Sequence, residues 1–194
     1  MRSMRHPELE NQHCLSINCL PPRATMIPAG REGVFYQNKE ASDRIFSLNG
    51  DWDFLWKPDD LPVQPGERWD TIDVPSVWQY RGYGKCVYPN VEYPIPFAPP
   101  YVLAENPVGY YRRSFTLDRK HPRTVLHFAG VDCAYYVWLN GEFIGFAKGS
   151  RCAHEFDVSG IVRAGENRIE VKVYAYSDAT YLENQDMLLA SGIF

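Results

Sequence analysis

Tyr181-Leu-Glu-Asn-Gln-Asp-Met187 sets two carboxylates and two amides between a tyrosine and a methionine, close to the end of a 194-residue chain. Carboxylates only accept hydrogen bonds, whereas amides both donate and accept, so the stretch has capacity beyond the needs of a turn. So much hydrogen-bonding capacity beside Met187, Leu188 and Leu189 calls for partners beyond the stretch itself. A second group, Arg151, Glu155 and Asp157 in "GSRCAHEFDVSG", has the composition of an acid/base pair with an electrophile. The plainer expectation there is a structural ion pair closing a sandwich. Histidines 6, 13, 121, 127 and 154 are scattered without ligand spacing. Cys14, Cys19, Cys86, Cys133 and Cys152 are odd in number and accompany no histidine cluster, so neither a zinc site nor a disulfide framework is indicated.

The elements that must position these groups read as strands. Trp52, Phe54 and Trp56 fall on one face of "NGDWDFLW". Tyr111, Arg113, Phe115 and Leu117 alternate with Arg112, Ser114 and Thr116, and "RTVLHFAG" (123–130) gives another strand. In "CAYYVWLNGEFIGFAKG" (133–149), Asn140-Gly141 is the turn of a hairpin, since both positions take positive φ there. "NRIEVKVYAY" (167–176) alternates most cleanly, after a turn at Gly165-Glu-Asn167, and "DVSGIVRA" has room for a single helical turn. Residues 58–108 hold ten prolines interleaved with Trp69, Trp78, Tyr80, Tyr83, Tyr88, Tyr93, Phe97 and Tyr101. The prolines exclude long regular elements, and the rings require the segment to lie pinned on a scaffold. Residues 1–45, without periodicity, read as an extended arm lying over the domain or reaching toward a partner; residues 46–194 form the domain.

Six or more strands, no long helix and long irregular connections indicate an all-β fold, an antiparallel β-sandwich of jelly-roll type. Length and apolar content suit one domain with a proper core. The net charge of -4 has no long run of either sign, so no nucleic acid and no membrane surface is expected as partner. The basic start is followed by no apolar run, and no stretch is long enough to span a bilayer; a reducing cytoplasm is the expected location.

"SLNGDWDF", "VPSVWQYRGYGKCVYPNVEYPIP", "ENPVGYYRRSF" and the run from Asn140 to Phe194 resemble the N-terminal sugar-binding domain of family 2 glycoside hydrolases, in its β-galactosidase branch. The pair "YPNVEYP" and "YLENQDM…SGIF" carries the resemblance, which runs from about residue 32 to the last residue. It implies a retaining hydrolase of terminal β-galactosides such as lactose. The acid and nucleophile would be two glutamates of a barrel domain that has no counterpart here, so no catalytic residue is expected in the chain and the chain alone should be inert. Sodium and magnesium are implied for a full-length enzyme, none for this chain alone.

By the resemblance, Asn90 matches an asparagine reaching the sugar hydroxyls. Asp186 matches an aspartate that contacts the sugar and holds a structural sodium, its other ligands coming from the missing barrel. The donor types suit those partners. Asn90 is also a plausible turn residue after Pro89, and Asp186 a plausible capping aspartate. Glu183, Asn184 and Gln185 are expected to hold the backbone beside Asp186 or to meet a neighbouring domain. Trp78 and Tyr88 are expected to pack. Leu188 departs from the tryptophan common after the family's methionine, and the family's strand continues past "SGIF", so the domain is expected to be cut short there. Partners implied are a galactoside, the remaining domains and, in full-length form, a homo-oligomer. A stand-alone carbohydrate-binding module and a structural fragment complementing another subunit remain alternatives.

Overall fold

A computed structural model describes residues 6–30, 32, 37–90, 93, 95–102, 105–183 and 189–194. Among them the strands are β1 (Ser16–Ile17), β2 (Gly50–Lys57), β3 (Asp70–Val74), β4 (Ser76–Val77), β5 (Val108–Leu117) and β6 (Val125–Phe128). They continue with β7 (Val131–Asp132), β8 (Ala134–Leu139), β9 (Glu142–Lys148), β10 (His154–Asp157), β11 (Gly165–Tyr174) and β12 (Gly192–Ile193). The α-helix α1 is a single turn, Thr180–Glu183.

Seven strands form the main sheet in the order β1-β9-β8-β11-β5-β2-β3. Facing it are a pair, β10-β6, and a triplet, β4-β12-β7. Every pairing is antiparallel, as the sandwich reading requires. The two layers close on one core. Trp52, Phe54, Tyr111, Val137, Ile169, Val171 and Val173 from the main sheet meet Phe128, Val131, Phe156 and Ile193 from the opposite layer. The period-two pattern explains which residues those are. In β11, Ile169, Val171 and Val173 are buried, while Glu170 and Lys172 between them are less so. At the β8–β9 hairpin Asn140 and Gly141 take φ of 55° and 82°, as expected for that dipeptide. Gly109 permits a close approach: a Cβ there would lie 2.4 Å from the Trp78 ring.

Strand β8 is buried along nearly its whole length, on both faces. The cause is the N-terminal segment, which packs on the sheet's outer side. Leu9 joins Val108, Cys133, Ala134, Tyr136, Phe146 and Tyr174 in a second apolar cluster. Strand β1 adds to the edge of β9 in register Ser16 with Ala147 and Ile17 with Phe146. The Lys148 ammonium, almost fully buried, binds both oxygens of Asp178 at 2.6 and 2.8 Å and donates to Glu8 O and Asn11 O. A buried charge is tolerable when its donors are all satisfied in this way.

Residues 58–108 hold two short strands, β3 and β4, and no long one among the described residues, in keeping with their prolines. Ile72 and Val74 alternate with Thr71 and Asp73, a pattern too short to stand out among so many prolines. In "DVSGIVRA" the chain makes the single turn expected, with Val162 N donating to Val158 O four residues back at 2.9 Å.

Candidate functional site

Asn90 follows the buried Pro89 in a turn and is exposed. Asp186 lies outside the described residues, as do Asn184, Gln185, Met187 and Leu188. The chain on either side of both positions is described, and the fold joins it. Val87 and Leu189 form an antiparallel bridge, with Leu189 N donating to Val87 O at 2.8 Å. Further along, Tyr93 stacks on Tyr181 at 5.9 Å between centroids, and its hydroxyl donates to Thr180 O at 3.1 Å. Asn90 therefore stands between two anchor points, Val87 and Tyr93. Each grips one end of the segment that contains Asp186.

Tyr181 is the hub of this junction. Its hydroxyl oxygen lies 2.8 Å from Pro96 O and 2.6 Å from Tyr101 O, and it accepts from Ala98 N at 3.4 Å. One phenol thus gathers three backbone groups of the proline-rich loop onto α1. Phe97 stands edge-on to the Tyr181 ring, and both Phe97 and Leu182 are about four-fifths exposed beside it.

Below α1 lies a buried polar cluster. Ser150 is fully buried, and its N–H donates to Glu183 Oε1 at 3.0 Å. The Ser150 hydroxyl stands 2.5 Å from Glu183 Oε2 and 3.0 Å from Asp132 Oδ1. Arg151 Nη1 reaches Glu183 O at 3.4 Å. Burial pushes the Asp132 carboxyl up to about 7; the Ser150 hydrogen bond opposes the rise, while the neighbouring Glu183 charge adds to it. Behind the Val87–Leu189 bridge-forming residues, Trp56, Trp78, Gln79 and Tyr176 help to line a cavity of about 110 Å³. Ligand sites usually measure roughly 300 Å³ or more, so this space does not enclose a sugar.

The Arg151, Glu155 and Asp157 set does not come together as one ion pair. Glu155 is bound by Arg23 at 2.6 Å and by His127 at 3.0 Å, and Asp157 accepts from Ser159. The roles are structural, but the partners come from the arm and from β6. Trp78 packs as expected: it is 1% exposed and lies against Phe54. Tyr88 is partly exposed, next to Asn90. Sequence reasoning passed over Asp132, Ser150 and Tyr181. Asp132 had a usable signal, a lone carboxylate in the apolar run Val131-Asp-Cys-Ala134. Among the described residues, no group of three or more His, Cys, Asp or Glu could hold a metal ion, and no helix is long and apolar enough to cross a membrane.

The sequence profile "Glycosyl hydrolases family 2, sugar binding domain" matches residues 45–194. The chain belongs to glycosyl hydrolase family 2. Within the family it is similar to a β-galactosidase of Staphylococcus xylosus, at 43% identity over 201 residues. That alignment takes in 100% of this chain and 20% of the relative, so the chain spans about a fifth of the length of the enzyme it matches. Similar solved structures include a β-glucuronidase of Bifidobacterium dentium complexed with coumarin-3-O-glucuronide. It is 26% identical with a TM-score of 0.48, covering 66% of this chain and 19% of that one. A β-D-mannosidase of Dictyoglomus thermophilum is 25% identical with a TM-score of 0.46, covering 70% and 16%. The part of a family 2 hydrolase present here is its sugar-binding β-sandwich.

Proposed function

We propose that this chain is the N-terminal sugar-binding portion of a β-galactosidase that hydrolyses terminal β-D-galactosides, lactose among them. Its part is to supply non-catalytic contacts to the sugar, Asn90 through its amide and Asp186 through its carboxylate. The observation that carries this reading is the 43% identity to a β-galactosidase along the whole chain. The double anchoring of the Asn90 turn to the Asp186 segment supports it, because a shared pocket wall needs both segments side by side.

Retaining hydrolysis needs a proton donor and a nucleophile about 5 Å apart across the scissile bond. Those carboxyls belong to the portion outside this chain, and the chain's own residues bind and orient. An amide matches a hydroxyl in both directions, whereas a carboxylate takes the hydroxyl proton or a hard cation. A carboxylate oxygen at Asp186 suits sodium, which would neutralise charge beside the sugar. No cluster among the described residues completes such a site, so its remaining ligands, and magnesium as a whole, fall to the other domains. Those domains and further copies of the protein are the partners, in the cytoplasm.

Assays of the full-length protein and of the 194-residue chain test the reading. Full-length protein should cleave o-nitrophenyl β-D-galactoside in preference to the glucuronide, and Asp186→Ala or Asn90→Ala should lower kcat/KM by about tenfold or more, as loss of a buried hydrogen bond implies. The chain alone should cleave neither. Preference for the glucuronide, or cleavage by the chain alone that Asp186→Ala abolishes, would overturn it. A galactose dissociation constant well below ~1 mM for the chain alone would instead mark a self-sufficient binding module.

A further inference from the structure

The fold sets two carboxyl groups on one serine hydroxyl beneath α1. Burying like-charged groups together is unfavourable, so the arrangement needs a reason. Ser150 Oγ has a single proton and two carboxyl oxygens within hydrogen-bond reach, Glu183 Oε2 and Asp132 Oδ1. It can donate to one of them only. The contact to Glu183 is the shorter, and the Ser150 N–H is committed to the same carboxylate. The second contact is then satisfied if Asp132 carries a proton and donates it to Ser150 Oγ. Asp132 is the better placed to do so, being 1% exposed. Burial also shifts its carboxyl toward the protonated form.

The geometry points to Glu183 as a positioning residue of the sugar pocket, locked by Ser150 and by a protonated Asp132 so that the end of α1 is fixed where the chain runs on to Asp186. This role rests on the galactoside reading given above. Three features make the lock specific to the site. Glu183 is the last residue of α1 and lies three residues before Asp186. The same turn carries Tyr181, on which the loop containing Pro96, Ala98 and Tyr101 is hung. Ser150 lies beyond the end of β9, so the contact ties α1 to the sheet that holds the rest of the domain. Movement of α1 would loosen the loop hung on Tyr181 and the point from which the chain leaves Glu183 together.

Amide hydrogen exchange on the chain and kinetics on the full-length protein test the role separately. Leu182 N and Glu183 N, which donate to Ala179 O, report the end of α1. Ser150→Ala should speed their exchange by about tenfold, the equivalent of one hydrogen bond, and leave the β5–β11 amides unchanged. Asp132→Ala should do the same. Asp132→Asn should not, because the amide donates to Ser150 Oγ as the protonated acid does. Should Ser150→Ala fail to fold, Glu183→Gln is the substitute: it keeps one acceptor oxygen and should give a smaller rise at the same two amides.

In the full-length protein, Ser150→Ala should raise KM for o-nitrophenyl β-D-galactoside by about tenfold and change kcat less, since orientation is lost while the reacting carboxyls are untouched. Asp132→Asn should retain the parent KM. The role is overturned if Leu182 and Glu183 exchange at parental rates in Ser150→Ala and Asp132→Ala. It is also overturned if Asp186→Ala raises KM and Ser150→Ala does not. A parental kcat/KM in Asp186→Ala itself would remove the galactoside reading, and this role with it, even if the exchange data showed the lock to be real.

Discussion

The ladder between β5 and β11 and the segment from Trp78 to Pro107 are held in opposite ways. In the ladder, Val108–Leu117 and Gly165–Tyr174 pair residue by residue through backbone groups, and side chains are left to pack. In the proline-rich segment, isolated backbone bonds such as Leu189 N to Val87 O are joined by side-chain pairing. Gln79 binds both Ser191 N and Ser191 Oγ, and Asn106 accepts from Tyr176 N while donating to Tyr176 O. Glu10 takes Val102 N, and Tyr181 holds the loop around Phe97. Proline removes backbone donors, so the remaining polar groups must find partners elsewhere. Stability in the first region is spread over many equivalent bonds. In the second more of it is concentrated in a few residues.

The contrast is broken most directly from the sheet side. Phe54 is fully buried among Trp78, Tyr83 and Tyr111. Phe54→Ala should cost about 3–5 kcal/mol of global stability in denaturant unfolding, with exchange rising throughout the sheet. A loss confined to the neighbouring loop would mean that the sheet is not one cooperative unit.

The junction between the regions should respond to pH. The Asp132 carboxyl is raised from 3.8 to about 7, chiefly by burial, with Glu183 and Arg151 as the charged groups beside it. A raised folded-state value means that the folded chain holds this proton more tightly than the unfolded chain. Its contribution is therefore complete below about pH 4 and lost as pH rises through about 7. Between pH 5 and pH 8 the parent should lose about 2–3 kcal/mol relative to Asp132→Asn, compared by denaturant unfolding at both values. Parallel pH profiles for the two proteins would contradict the assignment.

The smallest effect belongs to the loop. Tyr181→Phe keeps the ring contacts and removes the hub oxygen, so global stability should fall by only about 1 kcal/mol. Chymotryptic cleavage at Phe97 and Tyr101 should nevertheless accelerate clearly, because the Tyr181 hydroxyl meets Pro96, Ala98 and Tyr101 of that loop at once. Unchanged cleavage would place the anchoring elsewhere.

The same contrast decides what could be read from the sequence. The sheet was legible because its burial follows a local period: Trp52 and Phe54, then Ile169, Val171 and Val173, announce a face. The Asn140-Gly141 turn was legible because its backbone conformation restricts the residue choice. The junction was not. Tyr181 meets Pro96 across 85 positions, and Gln79 meets Ser191 across 112, through side-chain atoms that leave no periodic trace. Asn90 and Asp186 were reached through family motifs, and the described structure adds the pairing of their flanks. Strand β3 was missed because two apolar residues make too short a pattern beside Pro75.

The main sheet has two rims that are kept from sticking by different means. Strand β3 carries Asp70 and Asp73, and Pro75 follows its last residue, so that rim repels a stranger by charge and by a missing donor. The other rim is occupied by Ser16 and Ile17, whose segment is moored through Glu8 and Asn11 to the Lys148 ammonium. Removing the first twenty residues would uncover an open strand beside Tyr136 and Phe146, a template for aggregation. The leading segment is thus a built-in guard on solubility, and handling or tagging of the protein at that end must leave the mooring intact.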